Sequence, residues 1–91
     1  MSFSEICIYR AKPDKAEEFE TLMAEVTAFM KRQEGVSLLR FMKREYTIRD
    51  MDIETREQYG AAQKNLYESY WKEIDEFLIM PHDKYLGEIM F

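Results

Sequence analysis

Ala16-Glu17-Glu18-Phe19-Glu20-Thr21-Leu22-Met23-Ala24-Glu25-Val26-Thr27-Ala28-Phe29-Met30 carries the clearest periodicity in the chain. Ala16, Phe19, Leu22, Met23, Val26, Phe29 and Met30 recur at steps of three and four, which makes one apolar stripe on a surface helix. Ser4-Glu5-Ile6-Cys7-Ile8-Tyr9 stands before it and Gly35-Val36-Ser37-Leu38-Leu39-Arg40-Phe41-Met42 after it, so the helix lies between two strand-like runs. The pattern predicts a helix over about residues 14 to 34. Asp14 three residues ahead of Glu17 has capping-box spacing. Lys31 and Arg32 suit the negative end of the helix dipole, and Gly35 is the expected left-handed C′ residue.

Phe3 to Arg10 reads as the first strand. Phe3, Cys7 and Tyr9 share one parity and Ile6 and Ile8 the other, so both faces carry apolar groups. Val36 to Met42 is a second two-sided strand, with Val36, Leu38 and Met42 against Leu39 and Phe41. Lys43-Arg44-Glu45 contains no Gly, Asn or Pro and makes a poor turn signal. Tyr46 to Ile53 alternates like a strand, however, and a hairpin is preferred to one long bent strand. Thr55 followed by Gln58 repeats the capping-box spacing and opens a second helix. Its stripe is Tyr59, Ala62, Leu66, Tyr67, Tyr70, Trp71, Ile74, Phe77 and Leu78. Gly60 weakens its first turns and Pro81 is expected to stop it. Tyr85 to Phe91 is a closing strand. The order strand–helix–strand–strand–helix–strand defines a ferredoxin-like α+β sandwich, read as one domain over 1–91.

Bulk properties narrow the function classes. The chain has 91 residues, 46% of them hydrophobic, which suffices for a core. Its net charge of -5 argues against nucleic-acid binding, because a phosphate backbone calls for a basic face. The local cluster Lys43, Arg44 and Arg49 is small and interrupted by Glu45. Cys7 is the only cysteine, so neither an intrachain disulfide nor a zinc ribbon is expected. The Met-Ser-Phe-Ser-Glu start has no signal-peptide character, and no apolar run approaches bilayer-spanning length. A cytoplasmic protein without a membrane partner is the simplest account.

Two helices in one layer cannot cover a sheet that is apolar on both faces. A second copy packing sheet to sheet would bury the rest. In this, and in Lys12-Pro13-Asp14-Lys15-Ala16-Glu17-Glu18-Phe19 followed by Gln33-Glu34-Gly35-Val36, the chain resembles the dimeric α+β barrel superfamily, including the antibiotic-biosynthesis monooxygenase-like proteins. The likeness covers roughly the first 45 residues. It implies a homodimer with a ligand cleft between sheet and helices. It also implies cofactor-independent oxidation or isomerisation of an aromatic or polyketide-like compound, with no cofactor. Many such proteins carry a Trp on the third strand, where this chain has Tyr46, Ile48 or Met51.

Against that background the candidate site residues are few. Tyr67, Tyr70 and Trp71, with Tyr59 nearby, can stack on a planar substrate, or they can simply be packing. His82 is the only histidine and the candidate base, although a loop after a helix is normally solvated. Arg10 and Arg40 sit in otherwise apolar strands, where a planar guanidinium can hold a carboxylate or phenolate, or pair with Glu5 or Glu88. Arg40, among Leu38, Leu39, Phe41 and Met42, is preferred for the anion. Asp50, Asp52 and Glu54 share a parity but lack an EF-hand pattern, so no metal is expected. The assignment is Arg40 and His82 as catalytic residues and Tyr67, Tyr70 and Trp71 for a small aromatic ligand. One alternative is a non-catalytic, homo-oligomerising module; another is a haem-binding barrel in which His82 reaches the porphyrin.

Overall fold

In the computed structural model, which describes residues 2–90, four strands and two long helices follow the predicted order. They are β1 (Phe3–Tyr9), α1 (Ala16–Lys31), β2 (Val36–Lys43), β3 (Thr47–Ile53), α2 (Arg56–Phe77) and β4 (Asp83–Glu88). Phe91, assigned above to the closing strand, lies outside the described residues. The sheet order is β2-β3-β1-β4, and every neighbouring pair is antiparallel. Residues 43–53 form a hairpin with a separate third strand, as expected.

Both helices cover the same sheet face. Phe3, Cys7 and Tyr9 of β1 and Met51 and Ile53 of β3 join Phe19, Leu22, Met23, Val26 and Met30 of α1 and Ala62, Leu66 and Ile74 of α2 in one core. The stripe that marks α1 in the sequence is therefore the face it buries. The opposite sheet face has no covering layer among the described residues. Its rows, set by the register, run Met42, Ile48, Ile8 and Arg40, Asp50, Ile6, Tyr85. Ile6 is 44% exposed, Leu38 41% and Tyr85 62%.

Three local expectations are corrected. Asp14 does not cap α1: it lies inside a short 3-10 turn, Pro13–Lys15, and so lacks the extended backbone a capping residue needs. Gly35 has the predicted positive φ, 87°, but it lies beyond the C′ position and turns the chain into β2. Pro81 does not end α2. The helix stops at Phe77, where the chain turns extended to pair with the segment after β1: Lys12 N donates to Phe77 O at 2.7 Å and Ile79 N to Arg10 O at 2.9 Å.

The Thr55–Gln58 capping box forms as the spacing requires. Gln58 N donates to Thr55 Oγ1 and Thr55 N to Gln58 Oε1, both at 3.1 Å. Gly60 does not interrupt the helix it opens. Among the described residues no helix is long and apolar enough to cross a membrane.

Candidate functional site

Charge is buried in the middle of the core. Glu5 shares the helix-facing parity of β1 with Phe3, Cys7 and Tyr9, and Arg49 shares that of β3 with Met51 and Ile53. Both side chains are fully buried. Arg49 Nε donates to Glu5 Oε1 at 2.9 Å and its Nη2 lies 2.7 Å from the same oxygen. The second carboxylate oxygen accepts from the Tyr59 hydroxyl at 2.5 Å. Register places Cys7 opposite Arg49 on one side and Lys84 on the other, so two cations flank the thiol across three strands.

The lid of this cluster is α2. Tyr59, Gln63, Tyr67 and Trp71 recur at steps of four, which aligns them along one side of the helix. Lys84 reaches up from β4 and donates to Gln63 Oε1 and to the Tyr67 hydroxyl, both at 2.5 Å, while remaining 4.0 Å from Glu5 Oε2. His82 lies just ahead of β4, with its ring centroid 4.9 Å from Trp71 and 5.7 Å from Tyr9. Tyr67 stands edge to face with Trp71 at 5.2 Å. Tyr67, Trp71, His82 and Lys84 are partly exposed, so the cluster opens to solvent along the α2–β4 side.

Several buried polar atoms here have no hydrogen-bond partner: Nη1 and Nη2 of Arg49, Nε2 of Gln63 and Nδ1 of His82. For Arg49 Nη2 the short approach to Glu5 is an ion pair, poorly aligned for a hydrogen bond. Burial pushes the Cys7 thiol up, against the pull of Arg49. Burial also raises the Tyr9 phenol, and burial followed by the Glu5 hydrogen bond raises that of Tyr59. His82 moves the other way: burial, then the cations Lys84 and Arg49, lower its pKa. At neutral pH the His82 imidazole and the Tyr9 and Tyr59 phenols are thus neutral.

Of the residues assigned from sequence, the structure brings together Tyr67, Trp71 and His82. Tyr70 points elsewhere and packs edge to face on Phe29 of α1 at 5.3 Å. Arg40 lies on the uncovered face, where Nη2 pairs with Asp50 at 3.1 Å, and it shares no contact with the others. Arg10 pairs with Asp83 at 2.7 Å and sits over the Tyr46 ring. His82 is half-buried against aromatics, not the solvated loop histidine its position suggested. Gln63 and Lys84 were not singled out, Glu5 was named only as a possible partner of Arg10 or Arg40, and Arg49 only as part of a basic cluster. The signal for Glu5 and Arg49 was their charge at the apolar parity of a strand. No cluster of potential metal ligands exists among the described residues.

A cavity of about 270 Å³ lies between α1 and the β2–β3 hairpin, lined in part by Tyr9, Phe19, Arg44, Tyr46 and Ile79. Tyr9 is shared: it lines this cavity and backs on Arg49, whose guanidinium carbon is 5.7 Å from its ring centre. The volume is on that side of Tyr9 and the chemistry on the other.

A four-stranded antiparallel sheet with two helices on one face and a buried, aromatic-walled charge cluster defines a ferredoxin-like α+β protein with a candidate ligand site between the layers. The sequence matches no known protein-family profile and no curated protein. Solved structures match throughout. Rv0793 from Mycobacterium tuberculosis superposes with a TM-score of 0.91 at 12% identity, covering 100% of this chain and 97% of its own. A Nitrosomonas europaea protein provisionally named an antibiotic biosynthesis monooxygenase gives 0.88 at 14%, over 99% and 91%. A variant of SnoaB, a cofactor-independent oxygenase from Streptomyces nogalater, gives 0.82 at 13%, over 97% and 92%. The fold is that of the antibiotic-biosynthesis monooxygenase-like proteins.

Proposed function

We propose that the chain is a cytoplasmic, homodimeric small-molecule-binding protein of the monooxygenase-like kind, taking a planar aromatic or polyketide-like compound between α2 and the sheet. One observation carries this reading: the buried Glu5–Arg49 pair lies in a cluster where Arg49 Nη1 and Gln63 Nε2 have no acceptor, beneath a wall of Tyr67, Trp71 and His82. Buried polar groups are normally satisfied, and unpaired ones are costly. A ligand with an anionic oxygen supplies what they lack.

The roles follow from position. Arg49, in place of Arg40, offers the planar fork for an enolate or phenolate. Trp71 and Tyr67 flank the ring. His82, neutral with Nδ1 free, accepts the proton. For isomerisation, His82 takes a proton from carbon beside a carbonyl, and the resulting enolate is reprotonated at another carbon. For oxidation, the same carbanion adds to dioxygen, and the hydroperoxide loses water, so a methylene and O₂ become a carbonyl and H₂O. Neither route draws on a metal or cofactor.

The test is titration of Trp71, the only tryptophan, with 1-naphthol and 2-naphthol, read by fluorescence. Saturable change that weakens in Tyr67→Ala supports the site. No saturable change, or a response indifferent to Tyr67→Ala, refutes it.

The uncovered sheet face favours a second element of the reading, association of two copies through Ile6, Leu38, Met42, Ile48 and Tyr85. An apolar face of this kind is unusual on a monomer. Light scattering that returns twice the chain mass supports the dimer, and the mass of a single chain refutes it. A dimer without any ligand response would instead favour the non-catalytic association module.

A further inference from the structure

We propose that the anion this site takes is an aryl carboxylate, held by Arg49, Gln63 and Lys84. The inference rests on the aromatic-ligand reading above and deepens it.

The charge balance comes first. Around Glu5 stand Arg49 and Lys84, two cations facing one carboxylate. Glu5 is fully engaged, since Arg49 takes one oxygen and the Tyr59 hydroxyl the other. Lys84 hydrogen-bonds only neutral oxygens, those of Gln63 and Tyr67, and its distance to Glu5 Oε2 is 4.0 Å. Two cations therefore share one carboxylate in a half-enclosed place, where such an imbalance matters more than at the surface.

The donors come second. Arg49 Nη1, on a side chain with no exposed surface, and Nε2 of the buried Gln63 lack acceptors. Arg49 from β3 and Lys84 from β4 approach Glu5, and Gln63 descends from α2 onto Lys84. A phenolate supplies one charge and one oxygen. A carboxylate supplies one charge and two acceptor oxygens, which matches both deficits with a single group. Its ring then lies against Tyr67, Trp71 and His82, the partly exposed rim of the same cluster. Lys84 exchanges the Tyr67 hydroxyl for the ligand, so it determines which charge the site accepts.

The experiment compares four probes of one shape by isothermal titration on the intact protein: 2-naphthoate, 2-naphthamide, 2-naphthol and naphthalene. The amide keeps the shape and removes the charge. Expected is binding of 2-naphthoate at least about tenfold tighter than either the amide or the naphthol, the worth of one charge-assisted hydrogen bond. That advantage should vanish in Lys84→Gln and shrink in Gln63→Leu, both checked for native circular dichroism. If 2-naphthol binds as tightly as 2-naphthoate, or the advantage survives Lys84→Gln, the carboxylate assignment is overturned while the aromatic-ligand reading stands. If none of the four binds, both fall.

Discussion

Replacing Glu5 by Gln removes the only carboxylate that Arg49 touches and leaves a guanidinium in the core with no counter-charge. At a charge separation of about 4 Å and an effective dielectric near 20, the lost attraction is roughly 4 kcal/mol. Breaking a buried pair by removing one partner typically costs about 3–5 kcal/mol. For a domain of this size, 1 kcal/mol moves the melting midpoint by about 4–8 °C, so Glu5→Gln should melt at least about 12 °C lower. Removing the whole arrangement has a different outcome. Glu5→Leu with Arg49→Met exchanges the pair for apolar groups, and Tyr59→Phe removes the hydroxyl that would lose its acceptor. The triple variant should be at least as stable as Glu5→Gln, and near the parent protein if the core repacks. Circular dichroism melts at one fixed protein concentration measure all of this. A Glu5→Gln protein that melts with the parent refutes the claim that this charge pair is buried and coupled.

Four further outcomes are expected. Gly35 has φ 87°, and a Cβ there would lie 2.0 Å from Gln58 Oε1, so Gly35→Ala strains the turn and displaces the α2 capping box, costing about 2 kcal/mol or more by urea denaturation; Gln58→Ala in the same chain should add little further loss. The pKa of His82 is lowered on folding, so the unfolded chain binds its proton first as pH falls. His82 therefore contributes stability above about pH 6.5 that is lost progressively below it, down to the folded pKa. The stability–pH slope just below 6.5 should flatten in His82→Gln, and an unchanged slope counts against burial of the ring. Ile6→Lys or Tyr85→Glu, on the uncovered face, should shift the light-scattering mass toward one chain. Arg40→Ala should leave 2-naphthol affinity unchanged, because Arg40 lies on the face opposite the cluster; a clear loss would move the site.

Much of the fold is legible in local pattern because the pattern is what makes each element bury a face. The three-and-four spacing of Phe19, Leu22, Met23, Val26 and Met30 is the core side of α1, and Thr55 with Gln58 makes two real hydrogen bonds. What the pattern misses depends on contacts between distant segments. Phe77 ends α2 because residues 77–79 pair with residues 10–12, an attraction no local rule contains. Arg40 was placed inward because β2 is apolar on both sides. A register shift between Val36 and Leu38 further obscures which parity faces the helices. Glu5 and Arg49 lie 44 positions apart and meet only through the β1–β3 register. Yet each carries a charge at the parity of its strand's apolar residues, and two such lapses of opposite sign on strands that neighbour in a ferredoxin-like sheet point to a pair.

A buried ion pair has two physical explanations, and they predict different things here. It can fix strand register, since a slip of one residue would carry Glu5 and Arg49 to the uncovered face. That accounts for the pair and for nothing beyond it. It leaves unexplained why Lys84 brings a second cation to the same carboxylate, why Gln63 and His82 turn polar atoms inward without partners, and why the aromatics of α2 line the side where the cluster meets solvent. A ligand accounts for all three features at once. The two explanations separate in the triple variant Glu5→Leu, Arg49→Met, Tyr59→Phe. If register was the pair's task, that protein loses its cooperative melt and its sharp amide spectrum. If ligand binding was the task, it melts cooperatively and no longer responds to 2-naphthoate.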